Sequence, residues 1–232
     1  MMFNFVVKRL WFFLISGILI LISVVALGVF GLKPGIDFGS GSITTLSFEQ
    51  EVDQNELEQE LAILDYTGDV ERNPQGDFLI RTVELTIDEK AKLKESLMAR
   101  FGTITEKGFE NVAPVIARET ARIAAIAVAV AAVGILLYVT WAFRRMPSPL
   151  HYGTCAIIAL LHDVLVTLGT FAIIGELWRW EINLMFVIGM LAVIGYSVNN
   201  TVVVFDRIRE NLQLEVSPSF EVVVNNSVVE SL

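Results

Sequence analysis

The 232-residue chain is 54% hydrophobic and carries a formal net charge of −9. All of this charge lies in residues 33–120, which hold 18 acidic and 9 basic residues, while the remainder is neutral. An acidic chain does not suit nucleic-acid binding, which needs basic patches. Solubility is the simplest reason for the acidic segment, and a cationic partner is the alternative. The single cysteine, Cys155, excludes an intramolecular disulfide.

Four apolar runs are each long enough to cross a bilayer, because about 20 residues at a rise of 1.5 Å span a hydrocarbon core of about 30 Å. The runs are Trp11–Leu32, Ile123–Phe143, Leu150–Gly175 and Ile182–Phe205. A basic start precedes the first run, as in a signal peptide. However, the run exceeds the usual length of about 7–15 residues and no small-x-small cleavage site follows it, so we interpret it as a retained anchor.

Basic residues at the ends of these runs indicate the orientation of the chain. The pairs are Lys8 with Arg9, Arg144 with Arg145, and Arg207 with Arg209. Under the positive-inside rule all three pairs face the cytoplasm. The N-terminus and residues 206–232 are therefore expected inside the cell, with residues 33–122 outside the inner membrane. Trp178 and Trp180 fall in a short outer loop, where interfacial indoles are common.

The segment outside the membrane, residues 33–122, has the length of one small domain. Alternating and helical spacings predict three strands and two helices, and a weaker strand lies between the first helix and the second strong strand. Asp53 is expected to cap the first helix, and Thr86 with Glu89 forms a capping box for the second. The resulting order, βαββαβ, indicates a ferredoxin-like α+β domain. The expected elements are strand Ile43–Phe48, helix Asp53–Leu64, strand Asp69–Arg72, strand Phe78–Leu85, a helix from Thr86 to Gly102, and strand Thr103–Phe109.

A glycine-rich segment, Gly35–Ser42, follows the first apolar run directly. Its three glycines permit tight turns and positive φ angles. A structural link between anchor and domain is the favoured interpretation, and an anion-binding loop is the alternative. The residues of this linker motif are Gly35, Ile36, Asp37, Phe38, Gly39 and Gly41.

His162 and Asp163 lie near the centre of the third run, where a carboxylate costs about 2.5–3.5 kcal/mol on insertion scales. Asp163 must therefore be paired, hydrated or protonated. One interpretation is a proton or ion relay, because a low-dielectric site favours the neutral acid. The other is a hydrogen bond that joins neighbouring helices. Adjacent helical residues point about 100° apart, so a shared metal ligand is not expected.

A second polar cluster lies on the fourth run and comprises Ser197, Asn199, Asn200 and Thr201, followed by Asp206 and Arg207. Small residues with amide side chains are common at helix–helix interfaces in lipid. The alternative is a polar seam that lines a water-filled path. Asn199 and Asn200 cannot carry a proton by ionisation. No nucleophile–base arrangement, phosphate-binding loop or metal-ligand spacing occurs, so neither an enzyme, a cofactor nor a metal is expected.

Several segments together resemble the SecD/SecF family of bacterial protein-export membrane subunits, specifically its SecF members. Gly35–Gly41 (GIDFGSG) is similar to the family's GIDFxGG motif, and Glu110–Thr120 (ENVAPVIARET) to its VGPxxxxE segment. The more specific matches are Ala156–Gly169 (AIIALLHDVLVTLG) and Ile194–Asn211 (IGYSVNNTVVVFDRIREN). The resemblance covers the whole chain in the same order.

The resemblance implies an accessory subunit that works beside SecD, after the SecYEG channel and the SecA motor. The pair would use the proton-motive force to move unfolded preproteins at the outer face of the cytoplasmic membrane. The implied fold is an α-helical bundle of the resistance-nodulation-division (RND) type, here partial, with one α+β ferredoxin-like extracytoplasmic domain. A small-molecule or lipid transporter half and a structural scaffold for SecD remain the alternatives.

Two departures from the family pattern bear on this reading. The family motif GYSxNDT carries a carboxylate implicated in proton coupling, and Asn200 stands at that position. Asn225–Leu232 (NNSVVESL) matches only the first part of a segment resembling NxSLxQTLxR, whose arginine would follow Leu232. The segment beginning at Pro218 is expected to be helical, and its abrupt end suggests a fragment that precedes a fifth and a sixth helix.

Overall fold

The computed structural model describes residues 4–66, 68–144 and 149–232. Arg145, one of the residues used to predict the orientation, lies outside the described residues. The chain divides into two compact units. One unit runs up to Lys33 and resumes over Ala124–Leu232, and the other is Pro34–Ile123.

The unit Pro34–Ile123 contains the predicted βαββαβ sequence of elements, preceded by a one-turn helix that the sequence did not predict. Asp53 caps α3 by accepting a hydrogen bond from the Asn55 N–H at 2.8 Å. Thr86 and Glu89 form the expected capping box at the start of α4. Both predicted caps are therefore confirmed. The elements are α2 (Ile36–Gly39), β1 (Gly41–Phe48), α3 (Gln54–Ile63), β2 (Gly68–Arg72), β3 (Phe78–Thr82), α4 (Ile87–Phe101) and β4 (Ile104–Val112).

The four strands form one antiparallel sheet in the order β2-β3-β1-β4. β3 ends at Thr82, three residues before the predicted end, because the Leu85 N–H donates to the Ser42 hydroxyl at 2.9 Å instead of continuing the ladder. β4 is longer than predicted and pairs along the whole of β1, with a bulge opposite Thr45 and Leu46. The sheet is thus centred on β1 and β3.

Leucine, valine, isoleucine and phenylalanine side chains from one sheet face and both long helices form the core of this unit. Leu57 and Leu61 of α3 and Leu93 and Leu97 of α4 are buried, as their helical spacing predicted. Phe48 packs edge-to-face against Phe78 and Phe101, with centroid distances of 5.5 and 5.8 Å. Burial of these side chains is the main source of stability of the unit.

Two carboxylates of this unit accept hydrogen bonds from lysine ammonium groups and so connect neighbouring elements. The hydrogen bond from Lys107 to the buried Asp77 holds the pKa of Asp77 below its usual value. In the same way, the hydrogen bond from Lys90 lowers the pKa of Glu106, and Lys94 adds to this effect from 3.5 Å. Both interactions tie β4 to its neighbours, because Lys107 and Glu106 are residues of β4.

We expect acidification to loosen β4. Carboxylates with lowered folded-state pKa values stabilise the native state above their unfolded value of about 4 and lose this contribution as the pH falls through the folded-state values. Hydrogen-exchange protection of β4 amides, corrected for intrinsic rates, should fall below pH 4, and the fall should be smaller in Lys107→Met. Constant protection from pH 7 to pH 3 would contradict this prediction.

The chain also contains four long apolar helices that have the length and composition needed to cross a membrane. The second, third and fourth of them are longer than the apolar runs, because helical structure continues past the hydrophobic residues. Asp206 and Arg207 therefore lie inside the fourth long helix and not beyond it. The predicted helix after Pro218 is also present. The elements are α1 (Arg9–Val29), α5 (Pro114–Ala142), α6 (Pro149–Trp178), α7 (Leu184–Gln213) and α8 (Phe220–Ser231).

Small residues let α1 approach α6 closely. Ser23 and Ala26 of α1 are buried, as are Gly169 and Ala172 of α6. A Cβ atom on Gly169 would overlap the Cα, Cβ and Oγ atoms of Ser23. Beyond the end of α1, the Ile182 N–H donates to the Lys33 carbonyl at 2.8 Å, and Lys33 pairs with Glu176 at 3.0 Å. The first and third long helices are thus joined at mid-length and near their ends.

Candidate functional site

The side chains of His162 and Asp163 contact each other within α6. The His162 Nδ1 atom lies 2.9 Å from Asp163 Oδ1, although the side chains of adjacent helical residues were expected to diverge. Both side chains are partly exposed, and Asp163 is the more exposed of the two. The Asp163 carboxyl group at the centre of this apolar helix therefore has a polar partner, in agreement with one of the three predicted solutions.

The described polar contacts of this pair lie within α6. The Thr167 hydroxyl donates to the Asp163 carbonyl at 2.8 Å, so the described hydrogen bonds of Asp163 remain on its own helix. The His162 Nε2 atom is buried and has no hydrogen-bond partner within the described residues. The described residues thus show no hydrogen bond from this pair to a neighbouring helix.

The amides of α7 are separate from this pair. Ser197 is buried and its carbonyl accepts from the Thr201 hydroxyl at 2.9 Å, whereas Asn199 and Asn200 are exposed. No described hydrogen bond connects either asparagine with His162 or Asp163. In a bilayer, an exposed amide near the middle of a span requires a polar partner or water. This face of α7 is therefore suited to contact with another polar surface.

Asp206 and Arg207 belong to a charged network at the C-terminal end of α7. Asp206 pairs with Arg209, and Arg207 pairs with Glu210 at 2.8 Å. Arg207 also lies 3.6 Å from Glu230 of α8. The network joins residues that are widely separated in the sequence.

Two further residues in this region were not recognised from the sequence. The buried Asn211 side chain donates to the Ser227 hydroxyl and to Glu230, both at 3.0 Å. Ser227 in turn donates to the Val223 carbonyl at 2.8 Å. Asn211 belongs to the family-like segment Ile194–Asn211, and Ser227 belongs to the family-like segment Asn225–Leu232. Membership of these segments was the only sign in the sequence that the two residues matter. Their pairing depends on how α8 folds back, which periodicity cannot show.

The linker motif contains the short helix α2. The Gly39 N–H donates to the Gly35 carbonyl at 2.7 Å. Gly41 has φ +123°, and a Cβ atom there would lie 2.6 Å from the Thr82 carbonyl oxygen. Position 41 therefore requires glycine, as the sequence suggested, because β1 and β3 approach too closely there for a side chain. Ser40 adopts φ +62° without being glycine.

The fold and these residues define an integral membrane protein with four long apolar helices and a small α+β domain inserted between the first two. Residues 92–232 match the family described as protein export membrane protein SecD/SecF, C-terminal. Residues 25–52 match the SecD/SecF GG motif. The chain belongs to the SecD/SecF family, which confirms the resemblance derived from its motifs.

Relatives described as protein translocase subunit SecF cover the whole chain. One from Thermobaculum terrenum is 40% identical over 100% of this chain and 77% of the relative. One from Anaerolinea thermophila is 38% identical over 100% of this chain and 76% of the relative. The chain therefore spans about three-quarters of the length of these relatives.

The fold is similar to that of a solved structure of SecDF from Thermus thermophilus, described as a translocon-associated membrane protein. The TM-score is 0.82 at 28% identity. A super-membrane-facing form of SecDF gives a TM-score of 0.66 at the same identity. Each comparison covers 100% of this chain and 31% of the solved chain, so this chain corresponds to under a third of SecDF.

Proposed function

We propose that the chain is a subunit of Sec-dependent protein translocation that works with SecD and uses the proton-motive force to drive preprotein export at the outer face. The observation that carries this proposal is the His162–Asp163 pair in the middle of a membrane-spanning helix. Ionisable residues inside a span are costly and generally mark ion or proton pathways. The names of the SecF relatives support the same assignment.

Proton movement supplies enough energy for such a role. One charge that crosses 100 mV releases about 2.3 kcal/mol, which is sufficient to bias a two-state element. In this proposal the bundle responds to proton binding at His162 and Asp163, and the domain of residues 34–123 changes position. This domain acts on the unfolded preprotein after SecYEG and SecA have moved it across the membrane.

SecD is the proposed partner for the polar face of α7. Asn199 and Asn200 are exposed on α7, and a Cβ atom at Gly195 of the same helix would have no neighbour within 4 Å among the described residues. A helix from a second subunit would satisfy these amides and exclude lipid from them. The name SecDF of the similar solved structure agrees with this pairing.

The proposal includes the location and the domain class. The basic residues at the helix ends support an inner-membrane protein with a cytoplasmic N-terminus. The strand order β2-β3-β1-β4, with antiparallel neighbours, supports a ferredoxin-like topology for residues 34–123.

The proposed function is tested by preprotein release from inner-membrane vesicles under an imposed pH gradient. Vesicles that contain the protein should release preprotein faster when the gradient is applied, and vesicles depleted of it should not respond. SecD must be quantified in both preparations, because a scaffold would act by maintaining SecD. Equal responses at equal SecD levels would refute the proposal.

Position 200 provides an independent prediction. Asn200→Asp restores the titratable carboxylate of the family motif at a position that is already exposed. We expect the response of export to the pH gradient to be preserved or increased. Loss of export without loss of protein from the membrane would show that this interpretation of position 200 is wrong.

A further inference from the structure

Exposed aliphatic side chains occur together at one end of the unit Pro34–Ile123. Ile63 is the last residue of α3 and is 76% exposed. Val83 follows β3 directly and is 62% exposed, and Ile87 is the first residue of α4 and is 85% exposed. Exposed aliphatic side chains that are grouped, and not scattered singly, mark surfaces that contact a partner.

The sheet register and one hydrogen bond bring these segments to the same end of the unit. Gly68 of β2 pairs with Thr82 of β3, so the turn after α3 lies beside the turn before α4. The Tyr66 hydroxyl, from the first of these turns, donates to the Glu89 carbonyl of α4 at 3.2 Å. The described residues within 62–69, together with residues 83–89, therefore form one surface, which we call the α3–α4 end.

The charged residues of the α3–α4 end are all acidic, and they are Asp65, Asp69, Glu84, Asp88 and Glu89. Asp65, Glu84 and Asp88 are exposed and form no ion pair within the part of the chain that the structure describes. The next lysine along α4, Lys90, is held by Glu106 of β4. The negative charge of this end is therefore available to a partner.

This combination of side chains defines the chemistry of the partner. An anionic lipid surface would be repelled by the carboxylates. A purely apolar partner would remove water from the carboxylates without replacing their hydrogen bonds, which is unfavourable. A segment with both aliphatic and basic side chains meets both requirements. An unfolded chain exposes such side chains together, whereas a folded protein buries most of its aliphatic ones.

We propose that the α3–α4 end is a contact surface for unfolded polypeptide segments that carry lysine or arginine among aliphatic residues. The inference rests on the proposed function and deepens it, because it names the surface of the outer domain that meets the preprotein. Aliphatic side chains of the segment cover Val83 and Ile87, while its cationic groups pair with Glu84 and Asp88. Ion pairs at an exposed surface are individually weak, so the segment binds reversibly and can move on.

Photocrosslinking from two positions on α4 provides a matched test. A benzophenone amino acid would replace either Ile87, at the α3–α4 end, or the exposed Met98, about three turns further along the same helix. The full-length protein would be assembled with SecD in inverted inner-membrane vesicles. A preprotein with basic residues in its mature part would be stalled there by a folded C-terminal domain.

We expect the preprotein adduct from residue 87 to exceed the adduct from residue 98 at least fivefold. Equal adducts from the two residues, or no adduct from residue 87, would overturn the proposed surface. An adduct of residue 87 with SecD alone would also overturn it, because a subunit would then cover this end.

The contribution of the acidic side chains is measured in the same assay, with the photoreactive group at residue 87. The double variant Glu84→Gln, Asp88→Asn keeps the side-chain sizes and removes two charges, so the preprotein adduct should decrease at least threefold per amount of protein. Glu95→Gln removes an exposed charge of α4 outside the α3–α4 end and should leave the adduct unchanged. Equal adducts in these two variants would refute recognition of basic residues.

The crosslinking is carried out without a pH gradient, so its outcome is separate from that of proton-driven export. A preprotein adduct from residue 87 in vesicles that do not respond to a gradient would support the surface and refute the proposed use of protons. Absence of the adduct in vesicles with a normal gradient response would overturn the surface alone.

Discussion

Asp163→Asn is expected to abolish the acceleration of preprotein release by an imposed pH gradient. The amide retains the size of the carboxylate and a hydrogen-bonding oxygen towards His162, which lies 2.9 Å away, but it cannot bind or release a proton. One proton that crosses 100 mV supplies about 2.3 kcal/mol. Since each 1.36 kcal/mol corresponds to a tenfold change in rate, the lost acceleration would reach about 50-fold.

Thr167→Val provides the control for this measurement. Thr167 lies one turn from Asp163 and, among the described residues, its hydroxyl bonds only to the Asp163 main-chain carbonyl, so its removal leaves the His162–Asp163 contact intact. We expect release from vesicles with Thr167→Val to respond to the gradient as the wild type does. If release with Asp163→Asn responded equally well to the gradient, the His162–Asp163 pair would have no part in proton coupling.

Gly169→Leu is expected to separate α1 from α6 and to destabilise the bundle strongly. Any side chain at residue 169 overlaps Ser23, and the helices cannot shift without losing the contacts of Ala26 and Ala172. Overpacking of a buried contact generally costs about 1–3 kcal/mol, and Gly169→Ala should fall in this range. The thermal unfolding midpoint of the detergent-purified protein should decrease for both variants, and more for leucine.

Two comparisons make this prediction specific. Gly134→Ala places a Cβ atom where no neighbour lies within 4 Å, so its unfolding midpoint should not fall. Ser23→Gly removes the side-chain atoms that Gly169→Ala would meet, and the double variant should recover part of the loss. A midpoint for Gly169→Ala equal to that of Gly134→Ala would contradict the close approach of α1 and α6.

The predictions that succeeded depend on local chemistry. The cap at Asp53 and the capping box of Thr86 with Glu89 were predictable, because each needs only a side chain and a main-chain N–H within three residues. The four long helices followed from apolar runs that exceed the thickness of a bilayer. The SecD/SecF family followed from contiguous motifs, which retain their order in this chain.

The early end of β3 was missed for a different reason. β3 stops at Thr82 because the following backbone bonds to Ser42, a residue about 40 positions earlier in the chain. The pairing of Asn211 with Ser227 and Glu230 likewise requires α8 to pack on α7. Such contacts have no periodic signature, so residue spacing alone does not reveal them.

The sequence by itself determined that this is a four-span membrane protein with one acidic α+β domain, because hydrophobic length and capping are local properties of the chain. Only the tertiary structure decided that the Asp163 carboxyl group contacts the His162 imidazole and that Asn199 and Asn200 are exposed. It also decided that Arg207 of α7 lies close to Glu230 of α8. The first contact depends on side-chain rotamers, and the other features depend on how the helices pack, which residue spacing alone does not reveal.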